Sequence, residues 1–250
     1  MTNSQGTEPT SSKSLAYTVR VSQRARNVSI HVSHQGEVEV VIPKGFDPKR
    51  VPEIIERRQS WVLLTQQKLA ANRQSVLPET LETLDQLPQQ IQLRSLPEDW
   101  TVTYRPGRGA QIVANTMGNH QLQLQGATHS VETCQALLQR WLNRKAMLHF
   151  EPWLRQVSKE ISLPFSTVSV RHQKTLWASC SSKRSISLNA KLLFLPPPLV
   201  RYVFIHELCH TIHMNHSPKF WALVAEKEPN YQQIDRELRK AWRYVPAWAE

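Results

Sequence analysis

Apolar side chains fall on alternate positions between residues 28 and 42. Val28, Ile30 and Val32 share one face of an extended segment, and Val38 and Val40 resume the alternation after a Gln35-Gly36 turn. The stretch VSIHVSHQGEVEVVIP therefore reads as a hairpin of half-buried strands. The period changes at Asp47-Pro48, a good cap followed by a good first helical residue. Val51, Ile54, Ile55, Val62 and Leu63 then give an approximate helical face through about Asn72. Residues 73–130 carry recurrent Leu-Pro pairs (77–78, 87–88, 96–97) and short alternating runs, TVTY, QIVA and QLQLQ, separated by Gly and Asn. They are expected to be short strands and connections belonging to the N-terminal sheet. A second helical pattern runs from about Ser130 to Ile161, with Pro152 marking a kink or break.

The C-terminal part is compact. STVSVRHQ reads as a strand, WASCSSKR as a polar loop, and SISLN as another strand. A Pro-rich stop at 196–198 leads directly into an apolar helix, LVRYVFI, that carries HELCH. The expected class is α+β: residues 1–15 a disordered tail, 16–130 a β-rich lobe with one long helix, and 131–250 a metal-binding domain in which a short sheet packs on that helix.

Composition narrows the setting. The chain of 250 residues is 40% hydrophobic, enough for a packed core. MTNSQGTEPTSSKS has no apolar stretch of the signal-peptide kind, and no window approaches the ~18 apolar residues of a membrane span. Three cysteines, Cys134, Cys180 and Cys209, have no paired short spacing, so a reducing cytoplasm is the expected home. A formal charge of +11 favours an anionic partner such as nucleic acid. The basic residues are spread along the chain, so a plain solvated surface explains them equally well.

The chemistry concentrates at 206–216, HELCHTIHMNH. His206 and His210 lie one turn apart on one helical face, where two imidazoles can reach one ion at ~2.0–2.1 Å. Glu207 points to the side, toward a water near such an ion rather than the ion itself. A hydrolytic zinc site needs a third ligand and an open position. His213 stays on the helical face, but ~7–8 Å along the axis, in poor tetrahedral geometry. His216 is preferred, because Asn215 suits a left-handed helix end and Ser217-Pro218 suits the start of the next helix. Glu226 or Glu228 on that helix would be the ligand in a gluzincin-like arrangement, which the close spacing disfavours. Phe220 and Trp221 are expected to be core residues that fix His216.

In WASCS (Trp177–Ser181), ISLN (186–189), YVFIHELCH (202–210), NHSPKFW (215–221) and Pro229-x-Tyr231, the chain resembles the YgjP-like metal-dependent hydrolases, zincins related to SprT-like peptidases. SQRARNVSIHV and VVIPKGF resemble the amino-terminal half of that family. The resemblance implies one zinc ion held by His206, His210 and His216, with Glu207 as the catalytic carboxylate of a peptidase. Where the family usually shows Arg-Trp-Gly-Ser-Cys, this chain has Leu176-Trp177-Ala178-Ser179-Cys180, and Arg184 stands at another usual Gly. Neither Ala nor Arg adopts positive φ cheaply.

Trp177, Ser179, Asn189 and Tyr231 are the remaining cleft candidates. Trp177 lines the cleft or packs in the core. Tyr231 donates to an oxyanion or simply packs. SISLN either forms a sheet edge that receives an extended peptide or merely closes the sheet. Cys180 and Cys209 are expected to be inert buried thiols. The competing functions are a zinc peptidase acting on protein segments and a nucleic-acid-associated protein with a structural zinc. An intact Glu207 favours the first, since a structural ion has no need of it.

Overall fold

The computed structural model describes residues 15–23, 25–33, 36–74, 87–107 and 111–249. The expected tail lies outside them apart from Leu15, as do Gln35 and the Leu-Pro pair at 77–78. The fold is mixed α+β, in two compact units, Met1–Asn72 and Arg73–Glu250.

In the first unit, β1 (Thr18–Ser22), β2 (Ser29–Val32) and β3 (Val38–Pro43) form a sheet in the order β1-β3-β2. The expected hairpin is present: β2 runs antiparallel to β3, with Ile30 opposite Val40 and Val32 opposite Val38. β1 runs parallel to β3 on its other side. Asp47 accepts a hydrogen bond from Lys49 N at 3.0 Å and opens a short 3₁₀ turn that continues into α1 (Val51–Gln74). Val51, Ile55 and Val62 of α1 bury against Val38, Val40 and Ile42. Leu63, expected on that face, is exposed. It lies ~100° around the helix from Val62. Gln66 Nε2 donates to Gly36 O at 2.6 Å and ties the helix to the hairpin turn.

The second unit begins at Arg73, ahead of the division expected at residue 130. β4 (Gln90–Leu93), β5 (Glu98–Pro106), β6 (Ile112–Met117) and β7 (Gln121–Gly126) make a sheet of their own, in the order β4-β5-β7-β6, rather than extending the N-terminal one. The reason is where their alternating apolar positions go. Ile91, Leu93, Trp100, Val102, Leu122 and Leu124 share one core with Cys134, Leu138, Trp141 and Leu142 of α2 (Val131–Glu160) and with the C-terminal elements. Ser130 caps α2 by accepting from Thr133 N at 3.2 Å. Pro152 does not break the helix. It is exposed, so the carbonyl it leaves without an N–H partner faces water.

The C-terminal sheet has the order β8 (Thr167–Arg171), β10 (Ser185–Asn189), β9 (Ala178–Cys180). Two expectations change here. SISLN is the central strand, paired in parallel with β8 and antiparallel with β9, so it is not a free edge. Residues 178–180, expected in a polar loop, form the edge strand instead, with Ser179 opposite Ser187. Too few residues alternate there for a strand to be legible. Three helices complete the unit: α3 (Pro197–Cys209), α4 (Pro218–Lys227) and α5 (Tyr231–Leu238), with α4 and α5 both packed on α3. Among the described residues no helix is long and apolar enough to cross a membrane.

Candidate metal centre

Helix α3 begins with Pro197 and Pro198, where a missing N–H costs nothing. It is apolar on nearly all sides: Leu199, Val200, Tyr202, Val203, Phe204, Ile205, Leu208 and Cys209 are buried. A helix wrapped in core leaves little room for polar groups, so the three it carries at its end stand out.

The helix ends earlier than the sequence suggests. Cys209 is its last residue, and His210 is the cap at φ −65°, ψ −17°. Asn215 plays no left-handed role, since it is absent from the positive-φ residues. Side chains terminate the helix instead. Thr211 Oγ1 donates to Leu208 O at 2.7 Å, and His210 Nδ1 donates to His213 O at 2.9 Å. Ser217 then caps α4 by accepting from Phe220 N, with Pro218 as the first helical residue, as expected. His216 sits just before that cap.

This turn brings three imidazoles together. The ligand atoms of His206, His210 and His216 all lie within 4.8 Å of one another. His206 Nε2 and His216 Nε2 are 3.1 Å apart. Three nitrogens on one tetrahedral ion at ~2.0–2.1 Å would be ~3.3 Å apart, so little closure is needed. The carbonyl of His213 can only accept, so His210 Nδ1 carries the proton and Nε2 keeps its lone pair. His213 thus contributes its backbone, and its ring is outside the group. Glu226 and Glu228 are engaged elsewhere, with Lys227 Nζ at 2.9 Å and Asn230 N at 3.3 Å.

Phe220, fully buried, forms the wall behind all three rings. Its centroid is 4.4 Å from His210 in a stacked arrangement, 5.0 Å from His206 and 4.9 Å from His216. Trp221 stacks on His216 at 5.6 Å, and Tyr231 stacks on Trp221 at 5.6 Å.

The electrostatics suit a cation. Burial, helped by the neighbouring His210 and His216, pulls the His206 imidazole down to about 4, and burial lowers His210 as well. Both rings are therefore neutral at neutral pH, the form that ligates a metal. Burial pushes the Glu207 carboxyl up to about 8, and its Oε2 is a buried oxygen without a hydrogen-bond partner among the described residues. A buried carboxyl oxygen without a partner is costly in isolation. A divalent ion offsets that cost, and the residues fit one.

The other candidates fall into place around this centre. The edge strand β9 packs on α3, and burial first, then the charge of Glu207, pushes the Cys180 thiol up to about 11. Ser179 lies half-buried in that strand. Burial pushes Cys209 up to about 12. Both thiols, like Cys134, are free and protonated at neutral pH. Trp177 stacks on Trp242 at 4.2 Å. Asn189 is wholly buried: its Nδ2 donates to Gln173 O and Leu176 O at 2.9 and 2.8 Å, and its Oδ1 accepts from Lys191 N. It moulds the 173–177 loop. Of the departures noted in the sequence, Ala178 needs no positive φ, whereas Arg184 adopts φ +58° in the β9–β10 turn, where Arg184 N donates to Ser181 O at 2.8 Å. Asp235 of α5 attracts no notice in the sequence, yet its charge acts on His206. Its partner toward the centre, Tyr202, is far along the chain, and no local spacing signals it.

Residues 26–241 match a family model described as YgjP-like, metallopeptidase domain. No curated protein matches the chain. Among solved structures, the metallopeptidase zymogen of Pyrococcus abyssi abylysin is similar at 28% identity, over 36% of this chain and 92% of that one, with a TM-score of 0.32.

Proposed function

The chain belongs to the YgjP-like metallopeptidases, a metal-dependent peptidase family, and from that premise we propose that it hydrolyses peptide bonds at a zinc ion held by His206, His210 and His216. The observation that carries this reading is three imidazole nitrogens within 4.8 Å of one another beside a buried carboxylate with an unpartnered oxygen. An all-imidazole donor set on a short turn suits zinc with an open fourth position. A three-stranded sheet whose edge strand β9 packs on the helix carrying HELCH supports the reading of a zincin-like core.

A zinc ion in such a site supplies Lewis acidity toward the scissile carbonyl and the attacking water. The chain supplies the rest. Glu207 Oε2 takes a proton from the water as its oxygen attacks the carbonyl carbon, and delivers that proton to the amine nitrogen as the C–N bond breaks. Burial raises the proton affinity of Glu207 in the metal-free protein, and a cation held by the neighbouring histidines would lower it again, leaving the ionised form available to accept the proton. The His213 carbonyl keeps His210 in the ligating tautomer. An extended substrate segment pairs with the outer side of β9, which brings its backbone past Glu207. A purely structural ion would have no need of Glu207.

The test is Glu207→Gln. It should keep about one metal ion per chain and lose ~10²–10⁴-fold in the rate of cleaving an unfolded protein. His216→Ala should lose the metal, whereas His213→Ala, which leaves the backbone carbonyl, should keep it. Undiminished cleavage by Glu207→Gln would sink the reading.

A further inference from the structure

We propose that Asp235 is a positioning residue of the metal centre, holding His206 through Tyr202 and strengthening metal binding; this rests on the reading of His206 as a ligand given above. Tyr202 lies one helical turn before His206 on α3 and is fully buried. Its hydroxyl donates to Asp235 Oδ1 at 3.3 Å, across the α3–α5 contact, and its ring meets the His206 ring edge-on at 6.1 Å. Arg239, one turn along α5, grips the other oxygen, with Nε and Nη2 at 2.9 and 2.8 Å from Oδ2. Arg239, Asp235, Tyr202 and His206 therefore form a connected row from the surface to the candidate ligand.

The row has a direction. The Tyr202 hydroxyl donates, and the ionised Asp235 carboxylate can only accept. The carboxylate therefore stands one side chain away from the His206 ring, where its negative charge favours a cation on a ligating imidazole and the contact restrains the ring. A contact that only fastened α5 to α3 would need no negative charge. The Tyr202 hydroxyl would be served equally by an amide oxygen.

That difference sets the experiment. Asp235→Asn keeps the shape and an acceptor for Tyr202 but removes the charge. Zinc affinity is measured by competition with a chromophoric chelator at pH 7, alongside the unfolding temperature of the metal-free protein. The expected result is about tenfold weaker zinc binding, the usual size of such an outer contact, with little change in the metal-free unfolding temperature. Binding within twofold of wild type would overturn the proposal. Should Asp235→Asn fail to fold, Arg239→Met decides. The Arg239 side chain is 76% exposed, and removing its charge should tighten zinc binding about two- to threefold, an exposed ion-pair effect. Unchanged or weaker binding there overturns the proposal as well. Failure of the zinc-site reading looks different, since His216→Ala would then bind zinc as wild type does.

Discussion

Phe220→Ala tests whether the wall behind the histidines matters as much as the histidines themselves. The Phe220 ring is fully buried and touches the rings of His206, His210 and His216 at once. Truncating a fully buried Phe costs ~3–5 kcal/mol through lost transfer energy and the cavity left behind. That part should appear in urea unfolding of the metal-free protein in excess EDTA. Tryptophan fluorescence is the right probe, because all the tryptophans except Trp61 lie in residues 73–250. The second part concerns the metal. Three rings that lose their common backing sample positions away from a shared point, and supporting contacts of this kind are worth ~10–100-fold in metal affinity. A thirtyfold loss would reduce the stabilisation gained from a fixed excess of free zinc by about 2 kcal/mol, as RT ln of that factor. Phe220→Leu, which keeps most of the volume, should cost less than ~1.5 kcal/mol without metal. If Phe220→Ala loses less than ~1 kcal/mol in EDTA, or keeps the full zinc increment, the packing reasoning is wrong.

Two further outcomes follow from other parts of the chain. Arg184 sits at φ +58°, where a side chain other than Gly costs ~1–2 kcal/mol. Arg184→Gly relieves that strain, offset by ~0.5–1 kcal/mol of extra unfolded-state entropy, so the urea midpoint should rise; a fall would show that the Arg side chain holds the β9–β10 turn. Burial alone would raise the Glu98 carboxyl, but hydrogen bonds from Lys145 Nζ at 3.1 Å and Trp100 Nε1 at 2.7 Å outweigh it and hold the group below the ordinary value of 4.5. The ionised form is thus favoured in the folded state, so its contribution is full above about pH 5 and is lost as pH falls through the lowered folded value. The stability gap between wild type and Glu98→Gln should be constant at neutral pH and close toward pH 3 in urea titrations. A gap of the same size at every pH would show that the charge of Glu98 is irrelevant.

How much could be read in advance depended on how far apart the interacting residues lie. The β2–β3 hairpin, the Asp47 cap and the His206–His210 pair are encoded within about fifteen residues each, where alternation, capping chemistry and helical spacing act directly. His216 was also legible, but for a partly mistaken reason. The turn at Ser217-Pro218 is real, while the helix ends at Cys209 by means of Thr211 and His210 rather than Asn215. Alternation in 90–126 correctly signals strands yet carries no information about which core receives them. Only the shared packing of Trp100, Leu122 and Leu124 with Leu138 and Trp141 assigns that sheet to the second unit.

The same distance argument explains why the ligands of the candidate centre are visible in the sequence while its support is not. A ligand must be His, Cys or a carboxylate, so it announces itself by type. The groups around it are chosen for shape and charge at long range. Phe220 reads as core that fixes His216, with nothing to show that it backs all three rings; Cys180 reads as a polar loop residue; and Asp235 draws no notice, although Tyr202, 33 residues away, reaches its carboxylate. A buried helix such as α3 also cannot adjust these partners freely by solvation, because the carboxyl of Glu207 is buried and the ring of His206 is only partly exposed. Substitutions at Phe220 and Asp235 should consequently alter metal affinity while every ligand remains in place, which a spacing-based reading of HExxH would not anticipate.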